Sequence, residues 1–110
     1  MKVTIVIPNW NGTDVISDCL ESVEGQSVAV FEVIVVENGS VDNSADLIKI
    51  KFPSVKLMQL EKNIGFAGAV NKGIKAAKGD YVFLLNNDAT LEKNCLEELI
   101  KTAKTNKSDI

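Results

Sequence analysis

Apolar and polar positions fall along this chain in blocks. Four runs rich in Val, Ile and Leu, from Val3 to Pro8, Phe31 to Val36, Val55 to Leu60 and Tyr81 to Leu85, are each the length of a strand and nearly unbroken by polar residues. Between and after them, apolar residues recur every three or four positions: Val15, Ile16, Cys19, Leu20 and Val23, then Ala45, Leu47 and Ile48, and later Leu91, Cys95, Leu96, Leu99, Ile100 and Ala103. This spacing predicts helices with one buried face. Continuous apolar strands alternating with such helices are what a parallel sheet covered on both sides requires. The pattern therefore predicts an α/β domain: an open, doubly wound, Rossmann-like and mostly parallel sheet with helices on both faces.

Turn and cap residues support these divisions. Thr13 and Asp14 are predicted to cap the first helix, Ser40 to Asp42 the second, and Lys78-Gly79-Asp80 to stop a helix before the fourth strand. Gly73, between Lys72 and Ile74, is expected to let a helix pack closely on the sheet. With no linker, low-complexity segment or internal repeat, residues 1–110 read as a single domain. Ser108-Asp109-Ile110 look like the start of a further strand, so the chain is expected to be the first part of a longer protein. A sheet left open there would present an unpaired edge, and a homodimer formed through that edge is expected.

Composition narrows the chemistry. The 110 residues are 45% hydrophobic, enough for a real core, and the net charge is −3 with all positive charge on Lys. That balance argues against a nucleic-acid surface built on a basic stripe. No apolar stretch approaches the roughly 20 residues that span a bilayer, and Met1-Lys2-Val3-Thr4-Ile5 lacks the layout of a signal peptide, so a cytoplasmic location is expected. The absence of His removes Ser-His and Cys-His nucleophiles and most zinc sites. Cys19 and Cys95 have no metal-type spacing and are expected to be reduced core residues.

In an open parallel sheet, ligands sit outside the carboxyl ends of the strands. The residues that follow the four strands are Pro8-Asn9-Trp10-Asn11-Gly12, Glu37-Asn38-Gly39-Ser40, Glu61-Lys62-Asn63-Ile64-Gly65-Phe66 and Asn86-Asn87-Asp88. Each alone is ordinary turn chemistry. Together they make a rim of amides, carboxylates and glycines with hardly a positive charge. Such a rim holds a diphosphate poorly by itself, but Asp88 with flanking amides suits a hard divalent cation, Mg²⁺ or Mn²⁺, which would supply the missing charge. Trp10 offers a flat face for stacking a base, or else a half-buried packing surface. Neither a Walker-type loop nor G-x-G-x-x-G is present; Gly65 and Gly68 follow the third strand instead and could admit close approach of a ligand.

Four motifs in order resemble the family 2 glycosyltransferases of the GT-A fold, in their nucleotide-binding half. They are Val6-Ile7-Pro8-Asn9-Trp10-Asn11-Gly12, Val35-Val36-Glu37-Asn38-Gly39-Ser40-Val41-Asp42, the stretch Asn63-Ile64-Gly65-Phe66-Ala67-Gly68 continuing to Gly73, and Gly79-Asp80-Tyr81-Val82-Phe83-Leu84-Leu85-Asn86-Asn87-Asp88. The flavour is that of a rhamnosyltransferase-like subgroup. The resemblance implies that Pro8, Asn9 and Trp10 line the nucleoside, that Glu37 and Asn38 occupy the acidic pair after the second strand, and that Asn38 bonds the pyrimidine edge. It places Gly65 and Asn71 in the same nucleotide-binding set. Asn86-Asn87-Asp88 matches the D-x-D element with only its last carboxylate kept, so Asp88 is the expected metal ligand and Asn87 a contact to ribose or a bound water.

The implied partners are a nucleotide-diphospho-sugar, UDP-, dTDP- or GDP-linked, and a carbohydrate or lipid-linked acceptor. The longer parent is then expected to work at the inner face of the membrane. The implied reaction is inverting transfer to an acceptor hydroxyl, with a catalytic base beyond residue 110 and little or no turnover by this chain alone. On this reading the Tyr81–Leu85 run is apolar because it lies at the sheet centre. The alternatives are a receiver-like binding or regulatory module and an inactive folding unit.

Overall fold

The computed structural model describes residues 2–106. Four strands, β1 (Val3–Asn9), β2 (Glu32–Asn38), β3 (Lys56–Leu60) and β4 (Tyr81–Leu84), alternate with α1 (Ile16–Glu24), α2 (Ser44–Lys51), α3 (Phe66–Ala76) and α4 (Cys95–Asn106). All strand pairs are parallel and the sheet order is β3-β2-β1-β4. The expected class is therefore found. Ser108-Asp109-Ile110, the expected start of a further strand, lie outside the described residues.

The order explains the layers. The chain steps outward from β1 to β2 to β3, then crosses back over to β4 on the other side of β1. Right-handed crossovers in opposite directions put their helices on opposite faces. Accordingly Ile16, Cys19, Leu20 and Val23 of α1, Ile48 of α2 and Leu96 of α4 join Val3, Ile5, Ile7 and Val35 in one core, while Ala69 of α3 packs with Val6, Ile34 and Val36 in the other. β1 is paired on both edges and covered on both faces, which is why its sequence shows no polar face. Gly73 seats α3: a Cβ there would lie 2.4 Å from Val6 Cγ1 and 3.1 Å from Val36 Cγ2.

Helix-end expectations are corrected. β4, for its part, pairs only with β1 among the described residues, and its Leu84, on the α3 side of the sheet beside Val6, is 44% exposed. Its apolar character comes from Tyr81 and Phe83, which pack against the α1 and α4 side. The first helix has no side-chain cap: its leading N–H groups, at Val15 and Ile16, bond to Gly12 O at 3.0 and 2.8 Å, while the Thr13 N–H donates to Asp42. Lys78-Gly79 ties rather than stops, because α3 has already ended at Ala76. The Lys78 N–H donates to Glu32 Oε1 and the Gly79 N–H to Thr4 Oγ1. The N-cap of α2 is Asn43, without a side-chain cap bond; Asp42, one residue earlier, accepts from the Ser44 N–H at 3.0 Å.

Candidate functional site

The crossover that places β4 beside β1 brings the carboxyl ends of β2, β1 and β4 to one rim of the sheet. A cleft of about 390 Å³ lies there, lined by Pro8, Asn9, Trp10, Asn38, Asn63, Phe66, Asn86, Asn87 and Asp88. Six residues singled out from the sequence, Pro8, Asn9, Trp10, Asn38, Asn87 and Asp88, thus come together. Glu37, Gly65 and Asn71 do not line it.

Glu37 is buried because it follows β2 into the sheet's interior edge, and it serves as an acceptor for its neighbours. Asn9 Nδ2 donates to Glu37 Oε2 at 3.0 Å and to Ser44 Oγ at 3.1 Å, and the Ser40 hydroxyl donates to Glu37 Oε1. Burial pushes the Glu37 carboxyl above its ordinary range; the hydrogen bonds from Asn9, Ser40 and Ser44 oppose this, and the Asp42 charge adds to it. On its other side, Asn9 Oδ1 accepts from Asn87 Nδ2 at 2.9 Å, which joins the ends of β1 and β4. Gly12 packs on this pair, and a Cβ there would lie 2.1 Å from Asn9 Oδ1 and 2.6 Å from Asn87 Nδ2.

Asn38 holds the opposite wall. Its Oδ1 accepts from the Ile64 N–H at 2.9 Å, and its Nδ2 donates to Asn63 Oδ1 and Gly65 O, both at 3.2 Å. Both ends of the amide are thus engaged in folding the 63–65 turn, in which Gly65 has φ 86° and the Gly65 N–H donates to Asn63 Oδ1. Gly39, at φ 76°, lets this turn come close, since a Cβ there would lie 2.5 Å from Asn63 N. Asn71 lies exposed along α3.

Trp10 and Phe66 are 55% and 58% exposed, so both rings present apolar surface at the cleft. Asp88 is the only charged side chain in the lining. Beneath the 86–88 loop, the Cys19 thiol donates to Asn86 O at 3.5 Å, and burial, helped by the Asp88 charge, pushes it up to about 11. Cys19 and Cys95 are both free, as expected. Among the described residues no three acidic, Cys or His side chains cluster as a metal site.

Sequence reasoning put Phe66 on the rim without giving it a role, and missed Ser44 as part of the network behind the cleft. Ser44 looks like a helix-cap position, and only the folding of α2 against β1 brings its hydroxyl to Asn9.

A family model described as Glycosyl transferase family 2 matches residues 4–110. The chain belongs to this family. The poly(ribitol-phosphate) beta-glucosyltransferase of Bacillus spizizenii is 36% identical over 116 residues, covering 100% of this chain and 18% of that protein. TarP of Staphylococcus aureus, a poly(ribitol-phosphate) beta-N-acetylglucosaminyltransferase, is 34% identical over 114 residues, covering 99% of this chain and 35% of TarP. Among solved structures, S. aureus TarS superposes with a TM-score of 0.89 at 27% identity, over 99% of this chain and 20% of TarS. Its 1–349 fragment in complex with UDP-GlcNAc gives 0.88 at 26%, over 96% of this chain and 32% of the fragment.

The chain thus spans between about a fifth and about a third of these relatives. The GT-A-type α/β architecture and the family membership follow from these matches. The rhamnosyltransferase-like subgroup gains no support from them, and the receiver-like alternative loses its ground.

Proposed function

We propose that this chain forms the donor site of a glycosyltransferase, binding a nucleotide-diphospho-sugar with a divalent cation for inverting transfer to an acceptor hydroxyl. The observation that carries this reading is the charge of the cleft: one carboxylate, Asp88, and no cation among nine lining residues. A nucleoside diphosphate brings further negative charge, which Asp88 alone would repel. One carboxylate with neighbouring amide oxygens fits Mg²⁺ or Mn²⁺, which keep several waters and take one or two carboxylates beside phosphate oxygens. When bound, the cation offsets charge on the departing diphosphate. The solved structures include TarS with UDP-GlcNAc and a mannosyltransferase with GDP-Man and Mn²⁺, which accord with this chemistry.

The chain's own residues then have separate tasks. Asp88 holds the cation, Trp10 and Phe66 offer faces against which the base and ribose pack, and Asn38 with Asn63 shapes the wall beside the base. The acceptor proton is taken by a carboxylate outside this cleft, since the lining contains no second one. The acceptor is a hydroxyl of a carbohydrate or cell-wall polymer, as the names of the poly(ribitol-phosphate) relatives suggest. This chain alone is expected to bind donor without measurable transfer.

The test is calorimetric titration with UDP, dTDP and GDP, each with and without Mn²⁺, repeated on Asp88→Ala. Metal-dependent binding that disappears in the variant is expected. Equal binding with and without Mn²⁺, or in Asp88→Ala, would overturn the assignment of the cation to Asp88, and no binding of any nucleotide would overturn the donor site.

A further inference from the structure

We infer that Glu37, which does not line the cleft, is a positioning residue for it: through Asn9 it fixes the orientation of the Asn87 amide, with Nδ2 toward Asn9 and the carbonyl oxygen left open to the ligand. The inference rests on the donor-site reading above and specifies the polarity of one of its contacts.

Donors and acceptors alternate along a chain of three side chains. An ionised carboxylate can only accept, so the group of Asn9 that faces Glu37 Oε2 at 3.0 Å must be its NH₂. The same NH₂ faces Ser44 Oγ at 3.1 Å, so both of its hydrogens are engaged on the Glu37 side. Asn9 therefore has only its carbonyl oxygen to offer β4, and Asn87 must answer with its own NH₂, at 2.9 Å. What remains of the Asn87 amide is its second N–H and Oδ1, and Oδ1 accepts no hydrogen bond among the described residues. No buried side-chain polar atom in the described structure lacks a partner, so this oxygen is open to solvent on a residue that lines the cleft.

Gly12 makes the arrangement tight. Its Cα is so close that a Cβ would collide with both Asn9 Oδ1 and Asn87 Nδ2, at 2.1 and 2.6 Å. The two amides are thus pressed edge to edge. An outward carbonyl oxygen accepts from a ligand hydroxyl and disfavours a phosphate oxygen, acceptor against acceptor. The polarity of this contact is set by a carboxylate two hydrogen bonds away.

The test reverses the polarity. Asn87→Asp places a carboxylate against the Asn9 carbonyl and is expected to lower the urea midpoint. Glu37→Gln supplies an NH₂ on the Glu37 side; Asn9 can then turn over, accept from Gln and from the Ser44 hydroxyl, and donate to the new carboxylate. The gain from Glu37→Gln is therefore expected to be larger in the Asn87→Asp background than in the wild type, and that coupling to vanish when Asn9→Ala removes the amide between them, where a plain charge effect would persist. Additive effects, or a coupling that persists without Asn9, overturn the relay.

A second arm needs only Glu37→Gln. Its affinity for UDP with Mn²⁺ is expected to fall about tenfold, the size of one misdirected hydrogen bond, while binding stays metal-dependent. Unchanged affinity would refute the positioning role. If the wild type binds no nucleoside diphosphate, the donor reading falls and the role of the carbonyl with it. The unfolding cycle still judges the relay by itself.

Discussion

Glu32 is the acidic residue on which the end of the sheet opposite the cleft depends, and its loss should be visible as a pH-dependent stability difference. Its side chain is 2% exposed. Its carboxylate accepts from the Thr4 hydroxyl at 2.8 Å, from the Lys78 N–H at 2.9 Å and from the Lys56 ammonium, so it binds β1, β2, β3 and the segment before β4 together. Burial alone would raise the carboxyl, but Lys56, the Lys78 N–H and Thr4 outweigh it and bring it down from 4.5 to about 2.

A carboxyl lowered in the folded state contributes stability that is fully present above 4.5 and is lost as pH falls toward 2. At about 1.36 kcal/mol per pH unit, that gap corresponds to about 3 kcal/mol. Lys56 is 60% exposed, and solvent screening of the pair reduces the figure to roughly 1.5–3 kcal/mol. Glu32→Gln keeps the shape and one acceptor for Thr4 and Lys78, and removes the charge.

The assay is urea unfolding of both proteins from pH 7 to pH 2.5. The wild type is expected to be more stable by roughly 1.5–3 kcal/mol at pH 7, with the gap closing below pH 4. Asp42, also lowered to about 2, titrates in both proteins and cancels in the comparison. A gap that stays constant across this range would refute the electrostatic account and leave only packing.

Gly73→Ala should destabilise the domain by roughly 1–2 kcal/mol in urea unfolding, because overpacking against Val6 exceeds the helix propensity gained. Gly12→Ala should cost about 1–3 kcal/mol in the same assay and weaken UDP binding as well, since the new methyl forces Asn9 and Asn87 apart. Asp88→Ala, at an exposed position, should leave the urea midpoint within about 0.5 kcal/mol of wild type while removing Mn²⁺-dependent nucleotide binding; a large loss of stability would mean that Asp88 is structural. Cys19, pushed up to about 11 and buried, should resist alkylation at pH 8 in the native protein and react after unfolding in urea.

Strand and helix identity was legible in the sequence because it rests on local composition. A run such as Val3-Thr4-Ile5-Val6-Ile7 favours a strand wherever it lies, and Ile16, Cys19, Leu20 and Val23 define a helix face without any partner. The rim at the carboxyl ends was legible for the same reason, since parallel strands put all their exits on one side. Which strands would be neighbours was not, because sheet order is a property of pairing: the crossover carries the chain from β3 to the far side of β1, and among the described residues β4 pairs on one side only although it is as apolar as β1.

Side-chain roles divided in the same way. Asp88 and Trp10 could be placed at the cleft from their position after a strand. Glu37 and Asn38 look equivalent in the sequence, yet one turns inward to receive Asn9 and the other pins the 63–65 turn. Asn9 and the 63–65 turn lie 25 to 28 residues away from them along the chain. Local propensity sees the residues that a segment contains; only the packed sheet decides which of their donors and acceptors are used up and which are left facing a ligand.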